Sequence, residues 1–400
     1  MSTSSQPTRF VGRVALVVAL AIMGDSLMYS LLPLEAANLG IPLALVGVLL
    51  SVNRIIRLLS NTWASLAFER LGPRLPFIFA SLLSVVTTLV YGLGWGFVAF
   101  LLARGGWGLA WSVFRHGGYL AVWSAPENIK GRLMGILWGV VRLGSAVSVL
   151  VGGLIYDRFG YASTVFIITG LSALAIPVAL QLRWPKHGAI GNAESGSTLA
   201  GWRVALQDRS RRWISTLGFV DTLFEGILVS TSSLFLASRL SADFSLLGIG
   251  TLAGALLATR FSANLLFAPL IGSISDRIGQ ALTLLILALV ILLGMLGAVQ
   301  LEGIGLLVSL AFVFIAGSGM FVTGSAAVSG LATSTERPNL FVGFYNTAVD
   351  AGAAIGPLLA YSLGDGLPGL EYLYVSVAGL LALVALRFWW VQRKKPALIQ

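Results

Sequence analysis

Long uninterrupted apolar stretches are the feature that most constrains what this 400-residue chain can fold into. Apolar residues make up 57% of the sequence and charged residues 10%, against roughly 25% charged residues in a typical soluble domain. A membrane-spanning helix needs about 20 consecutive apolar residues. The stretches are continuous rather than alternating, which excludes a transmembrane β-barrel. The sequence therefore predicts an all-α integral membrane protein.

Charged residues, glycines and prolines divide the apolar stretches into twelve predicted transmembrane helices. Their predicted bounds are 14–38, 42–67, 76–96, 98–121, 133–156, 160–182, 213–238, 244–274, 280–299, 304–331, 341–363 and 370–391. The first apolar segment is too long for the core of a signal peptide and carries Asp25, so we expect it to be retained as a helix.

The basic residues are distributed unequally between alternate loops. With both termini in the cytoplasm, only Arg158 and Arg239 fall outside, which predicts this orientation in a cell (inner) membrane by the positive-inside rule. The basic residues on the predicted cytoplasmic side are Arg70, Arg74, Lys130, Arg132, Arg183, Lys186, Arg203, Arg209, Arg211, Arg212, Arg277, Arg337, Arg393, Lys394 and Lys395. The predicted outer loops carry the acids Glu35, Asp157, Asp243, Glu302, Asp365 and Glu371.

The remaining composition excludes several classes of function. The net charge of +10 is scattered between the spans and forms no basic domain, so we expect no nucleic-acid partner. The chain has no Cys and only two His residues, which argues against a metal site. We find no nucleophile with a neighbouring base and no phosphate-binding loop, so we expect neither an enzyme nor a cofactor.

An internal repeat divides the sequence into two halves. Asp276 follows Glu69 by 207 positions in similar surroundings, and Asp350 follows Arg142 by 208 positions. We therefore predict an N-terminal six-helix bundle over 1–182, a cytoplasmic linker over 183–212 and a C-terminal six-helix bundle over 213–400. Parallel six-helix repeats with a solute site at mid-membrane are one architecture of secondary transporters.

Three motifs resemble those of the major facilitator superfamily. Gly272-x-x-x-Asp276-Arg277-x-Gly279 is similar to the family's signature in the loop between helices 8 and 9, and Glu69-Arg70-Leu-Gly72 resembles the signature between helices 2 and 3. Arg104-Gly-Gly-Trp-Gly108 is similar to the helix-4 motif. The Gly-Pro pair of the helix-5 antiporter motif is absent, and Gly356-Pro357 occurs in predicted helix 11 instead.

The resemblance covers essentially the whole chain and is strongest to drug/proton antiporters. It implies twelve helices in two pseudo-symmetric six-helix bundles, gating by the two loop motifs, and proton coupling through the arginine of the helix-4 motif. The gating-loop residues implied in this chain are Glu69, Arg70, Gly72, Gly272, Asp276, Arg277 and Gly279.

Ionisable residues also lie deep within the predicted helices. A charge at the centre of a bilayer costs at least about 2.5 kcal/mol on insertion scales, so such residues are candidates for function. Several lie roughly 13–20 Å from the nearest predicted membrane face at 1.5 Å per residue, which predicts a central polar cavity. The candidate substrate-cavity residues are Asn53, Arg54, Arg57, Arg142, Arg260, Asn346 and Asp350.

Four residues are candidates for proton coupling: Asp25, Arg104, Asp221 and Glu225. Asp25 has no basic neighbour in its own helix, and Arg104 belongs to the helix-4 motif. Asp221 and Glu225 lie one turn apart, where full ionisation of both is disfavoured. Alternatives without solute contact remain open: a permanent ion-pair network of Arg54, Arg57 and Asp350, bracing of predicted helices 5 and 8 by Arg142 and Arg260 through a shared acid, and pairing of Asp221 and Glu225 with two arginines.

These observations favour a secondary transporter that moves a small organic solute by alternating access, with protons and membrane lipid as further partners. Proton-coupled export by a functional monomer is the first hypothesis. Uptake or exchange of an organic anion through the midplane arginines is an alternative. A receptor or assembly factor that does not transport is a third interpretation.

Overall fold

A computed structural model describes residues 5–184, 198–240, 248–364 and 367–394. Lys186, Asp243, Asp365 and Lys395, together with the Gly/Ser-rich segment 188–197 of the predicted linker, lie outside the described residues. Within the described part, every regular element is a helix, and fifteen helices follow one another along the chain.

The helix bounds are α1 Ser5–Ala21, α2 Met23–Glu35, α3 Leu43–Leu71, α4 Arg74–Leu93, α5 Gly96–Trp123, α6 Glu127–Ala173, α7 Ala175–Leu180, α8 Thr198–Gln207, α9 Arg209–Arg239, α10 Ile249–Leu266, α11 Ala268–Ile278, α12 Gln280–Gln300, α13 Gly303–Ala332, α14 Pro338–Tyr361 and α15 Leu370–Arg393. Each predicted transmembrane helix overlaps one or more of these helices, because long apolar runs satisfy their backbone hydrogen bonds within the helix. The predicted bounds are wrong at three places: 14–38 is divided between α1 and α2, 244–274 is divided between α10 and α11, and 133–156 and 160–182 share α6.

Nine helical segments of the described chain are long and apolar enough to cross a membrane, and a tenth is obtained if the bent α3 is taken as one span. One of the nine runs from Asn128 to Leu180 and covers two predicted helices. Gly160 separates them, with φ 76° and ψ 179° inside the otherwise continuous α6. The 24-residue α14 is a predicted span that is not among the nine.

The predicted linker contains a helix that the sequence analysis did not predict. α8 has Val204 and Ala205 buried, and it ends one residue before Asp208. The Asp208 carboxylate accepts hydrogen bonds from the backbone N–H groups of Ser210 at 2.8 Å and Arg211 at 3.0 Å. An N-cap of this kind starts a new helix, so α8 and α9 are separate elements.

The chain divides into two compact units, one formed by 1–188 with 230–262 and the other by 189–229 with 263–400. In the first unit, α5 packs against α3 and α4, and α6 packs against α1 and α2. A cluster of buried aromatic residues that includes Phe77, Trp107 and Phe114 lies in its core. In the second unit, α12 packs against α13 and α15, and α8 packs against α14. The predicted division into bundles at the linker remains a prediction.

Large apolar side chains cover the outside of the spanning helices. Leu102 is 72% exposed, and Phe79 and Leu293 are likewise exposed on α4 and α12. Exposed apolar area of this extent marks an interaction surface in a soluble protein. On helices long and apolar enough to cross a membrane, such a surface is typical of a membrane protein, and its contact with lipid remains a prediction.

Candidate functional site

A buried ion pair joins two helices of the first unit. Arg104 of α5 is fully buried, and its Nη1 donates a hydrogen bond to Oδ1 of Asp25 on α2, which is 9% exposed. A charge in a low-dielectric interior is tolerated only when it is paired and hydrogen-bonded. Each of these two residues therefore supplies the counter-charge that allows the other to be buried.

A third helix, α3, contributes hydrogen bonds to both members of this ion pair. The side-chain amide of Asn53 donates a hydrogen bond of 3.2 Å to the same Oδ1 of Asp25, and Arg104 Nε donates to the backbone oxygen of Leu49 at 2.9 Å. The guanidinium carbon of Arg104 lies 5.2 Å from the centre of the Tyr29 ring, a cation–π distance. We refer to Asp25, Asn53 and Arg104 as the buried triad.

The buried triad keeps unused hydrogen-bonding capacity. Within the part of the chain that the structure describes, Nη2 of Arg104 and Oδ1 of Asn53 have no hydrogen-bond partner although both atoms are buried. Unsatisfied buried polar atoms are uncommon, and each calls for a specific explanation. A water molecule would satisfy both a donor and an acceptor here.

Glycine brings α5 close enough to α3 for these contacts. A Cβ atom at Gly108, one turn after Arg104, would lie 2.6 Å from the backbone oxygen of Asn53, closer than real Cβ contacts allow. At Gly105, the nearest atom would be Ile56 Cγ1 at 3.9 Å. The helix-4 motif therefore combines the buried arginine with the glycine that lets its helix reach Asn53.

This difference predicts the effect of two matched substitutions. Gly108→Ala should lower the free energy of unfolding by about 1–3 kcal/mol, the usual cost of overpacking, because either α5 or α3 must move. Gly105→Ala introduces the same methyl group in the same helix without a clash and serves as the control. Thermal unfolding of both variants in detergent measures the difference, and equal melting temperatures would contradict the close approach at Gly108.

Two further candidate arginines of the first unit flank one aromatic ring. The guanidinium carbon of Arg142 on α6 lies 5.8 Å from the centre of the Phe261 ring, and that of Arg260 on α10 lies 4.9 Å from it. Both arginines are half-buried, as are Arg54 and Arg57 on α3. The structure thus brings Arg142 and Arg260 to one ring, Phe261, which was not among the candidate residues.

The candidate acids of the second unit lie on two helices that pack together. Thr222 of α9 donates a hydrogen bond of 2.8 Å to the backbone oxygen of Val349 on α14, and a Cβ at Gly352 would lie 2.2 Å from the backbone oxygen of Phe219. Asp221 and Glu225 on α9 and Asp350 on α14 are half-buried, and Asn346 is exposed. Their assignment to the coupling or cavity sets remains a prediction.

The two loop motifs end in the same backbone conformation. Gly72 follows α3 with φ 70°, and Gly279 follows α11 with φ 91°. Side chains with a Cβ rarely adopt such positive φ values, which explains why both motifs end in glycine. Their charged residues Glu69, Arg70, Asp276 and Arg277 are exposed.

Asp157 falls in a predicted outer loop and is not among the candidate residues predicted from the sequence. Its carboxylate accepts three hydrogen bonds from the first turn of α10. A signal was present in the sequence, because Gly153-x-x-x-Asp157-Arg158-x-Gly160 has the spacing of Gly272-x-x-x-Asp276-Arg277-x-Gly279. The described residues contain no group of three or more His, Asp or Glu side chains that could hold a metal ion.

Comparison with known sequences identifies relatives along nearly the whole chain. The sequence model of the Major Facilitator Superfamily matches residues 14–258 and 214–399. The multidrug resistance protein MdtG of Escherichia coli (strain SMS-3-5 / SECEC) is 24% identical over 384 residues, which cover 92% of this chain and 91% of that protein. MdtG of Citrobacter koseri is 23% identical with the same coverage.

Two solved structures of transporters share the fold of this chain. The nucleoside transporter NupG matches with a TM-score of 0.79 at 12% identity, over 98% of this chain and 100% of that one. An inward-facing bacterial homolog of the human lysosomal transporter Spinster matches with a TM-score of 0.72 at 13% identity, over 98% of both chains. At this identity the likeness concerns the fold alone.

Proposed function

Because the chain belongs to the major facilitator superfamily, we propose that it exports a small organic solute in exchange for protons, with Asp25 as the group that carries the proton. The membership makes the chain an integral membrane transporter rather than an enzyme. The coupling ion, the direction of transport and the solute belong to the proposal.

The buried Asp25–Arg104 pair is the observation that carries the proposal. A carboxylate hydrogen-bonded to a guanidinium gains from a charge-assisted bond, and protonation of Asp25 removes that gain and leaves Arg104 charged and buried. The protonated and deprotonated forms therefore differ strongly in their local interactions. A difference of this kind is what a ligand or proton needs in order to shift a conformational equilibrium.

The unused polar atoms of the buried triad support a link between proton and solute. Arg104 Nη2 and Asn53 Oδ1 lie on the two residues that hold Asp25. A solute or water that engages these atoms would shift the side chains of Arg104 and Asn53, whose Nη1 and amide N–H groups donate the hydrogen bonds to Asp25. Coupling between the two ligands is reciprocal by thermodynamic necessity.

Export is favoured by the relatives rather than by the geometry. The name of MdtG describes a multidrug resistance protein, and removal of drugs from the cell is the simplest origin of such resistance. We therefore propose that the present chain exports organic solutes and acts as a monomer. Both termini lie in the cytoplasm on this proposal, as the distribution of basic residues in the loops predicts.

A screen of chemically diverse solutes followed by flux measurements tests the proposal. Purified protein is scanned for solutes that raise its melting temperature, since a ligand that binds only the folded state stabilises it. The best solute is then offered to proteoliposomes with and without a pH gradient. We expect solute to accumulate only with the gradient, and accumulation unchanged after its collapse would contradict proton coupling.

Transport of an organic anion is the second candidate, and the pair of arginines at Phe261 favours it. Arg142 and Arg260 bring two positive charges to one ring, and a planar guanidinium binds carboxylates and phosphates well. On this alternative, the screen identifies carboxylates or phosphates as the stabilising solutes, and Arg142→Gln and Arg260→Gln each abolish the shift. A screen in which only organic cations stabilise the protein would count against it.

A further inference from the structure

The Asp157 cap is a second charged contact within the first unit, separate from the buried triad. Asp157 Oδ1 accepts a hydrogen bond of 3.0 Å from the backbone N–H of Gly250. Oδ2 accepts bonds of 2.7 Å from the backbone N–H and 2.5 Å from the hydroxyl of Thr251. The first N–H groups of a helix have no partner within it, so the carboxylate of α6 satisfies two of these groups of α10 and complements its dipole.

Glycines at the contact between α6 and α10 leave the space that this cap needs. A Cβ at Gly248 would lie 2.2 Å from Asp157 Cγ, and one at Gly250 would lie 2.4 Å from Tyr156 Cδ1. One turn further along, a Cβ at Gly153 would lie 2.2 Å from the backbone oxygen of Gly250. A Cβ at Gly254 would lie 2.1 Å from the backbone oxygen of Val149. The two helices thus meet backbone to backbone, with Asp157 at the end of the contact.

The same motif occurs at two membrane faces. Gly153-x-x-x-Asp157-Arg158-x-Gly160 repeats the spacing of Gly272-x-x-x-Asp276-Arg277-x-Gly279, and Gly160, with φ 76°, has a positive φ like Gly279. Asp276 falls in a predicted cytoplasmic loop and Asp157 in a predicted outer loop. The copy of the motif that contains Asp157 lies on α6, in the first half of the sequence repeat. It caps α10, which belongs to the second half.

We propose that Asp157 is a positioning residue for transport, whose carboxylate holds α6 against α10 and keeps the transport path closed at the predicted outer face. The inference rests on the proposed alternating-access transport. Asp157 is exposed, so water can replace its three hydrogen bonds when the helices separate. A cap of this kind closes the outer face reversibly.

The distance between the outer ends of the helices tests this role. The chain has no Cys, so Ser163→Cys and Ala237→Cys add the only two thiols for spin labels. Both positions are exposed. Ser163 lies just after Gly160, and Ala237 lies near the end of α9 that leads into α10. Pulsed electron-electron double resonance on the full chain then measures the distribution of distances between the two labels.

Removal of the Asp157 carboxylate should favour conformations in which α6 and α10 are separated at the predicted outer face. We expect Asp157→Asn and Asp157→Ala to raise the ratio of long to short distances roughly fivefold, the size typical of a lost helix cap. Thr251→Val, which removes one bond of three, should raise it less, and Asp157→Glu should restore part of the short distance. Arg158→Gln changes the neighbouring exposed charge and should leave the distribution as in the native protein.

Unchanged distances in Asp157→Asn and Asp157→Ala would overturn the proposal. If neither variant folds, Thr251→Val decides alone, and a native distribution in it would equally overturn the proposal. A merely structural role would lower the melting temperature of the variants without producing a second, longer distance. The measurement needs no solute, so its failure is distinguishable from failure of proton-coupled export, which is read from flux.

Discussion

Replacement of Asp25 by Asn should abolish solute accumulation driven by a pH gradient. In proteoliposomes whose lumen is one pH unit more acidic than the bath, an exchanger that moves one proton per solute without net charge should accumulate solute in the lumen about tenfold, since a tenfold concentration ratio corresponds to about 1.4 kcal/mol. Asn has nearly the shape of Asp but cannot take up a proton. We therefore expect the accumulation ratio of Asp25→Asn to fall to about one.

The control for this prediction is another neutralised acid. Glu302→Gln removes a negative charge at an exposed position in a predicted outer loop and should retain accumulation. Downhill flux without a gradient should continue in Asp25→Asn, because solute binding does not require the proton to be exchanged. Accumulation that is the same in Asp25→Asn as in the native protein would exclude Asp25 as the coupling group.

The second large effect concerns the stability of the buried triad. Arg104→Met leaves the Asp25 carboxylate buried without its counter-charge, and breaking a buried ion pair from one side costs about 3–5 kcal/mol. The fully buried position of Arg104 puts this site at the upper end of effects from single substitutions. Equilibrium unfolding in mixed micelles measures the loss.

A double-mutant cycle separates this effect from a simple loss of packing. Asp25→Asn combined with Arg104→Met leaves no unpaired charge, so the double variant should be more stable than the sum of the two single losses predicts, with an interaction energy of about 0.5–3 kcal/mol. Strictly additive losses would show that the two side chains do not depend on each other, in conflict with the observed ion pair.

The sequence predicted the helices well because their determinants are local. Long apolar runs, a charged residue or a glycine at each end, and a positive φ at Gly72 and Gly279 depend on neighbouring residues alone. The failure at α8 has a physical reason, since its short amphipathic stretch lies in a polar region and is stabilised by packing against α14. The Asp208 cap was the signal that could have located its end.

The site was predictable only in part. Depth within the predicted helix identified Asp25, the helix-4 motif identified Arg104 and the polar spacing of helix 2 identified Asn53, but their partners depend on tertiary packing. Asp25 and Arg104 lie 79 positions apart in the sequence, and Asn53 was assigned to the substrate cavity although it donates a hydrogen bond to Asp25. The approach of α5 to α3 at Gly108, which brings these side chains together, has no local sequence signature that distinguishes it from Gly105.

Proton release on solute binding is the measurement that tests the central claim most directly. Purified protein in weakly buffered detergent solution is mixed with the solute identified by the screen, and a pH-sensitive dye records the protons released. If solute and proton compete through Asp25, the native protein should release protons up to about one per bound solute, as reciprocal coupling requires, and Asp25→Asn should release none. Solute binding without proton release in the native protein, or equal release from both proteins, would contradict the account.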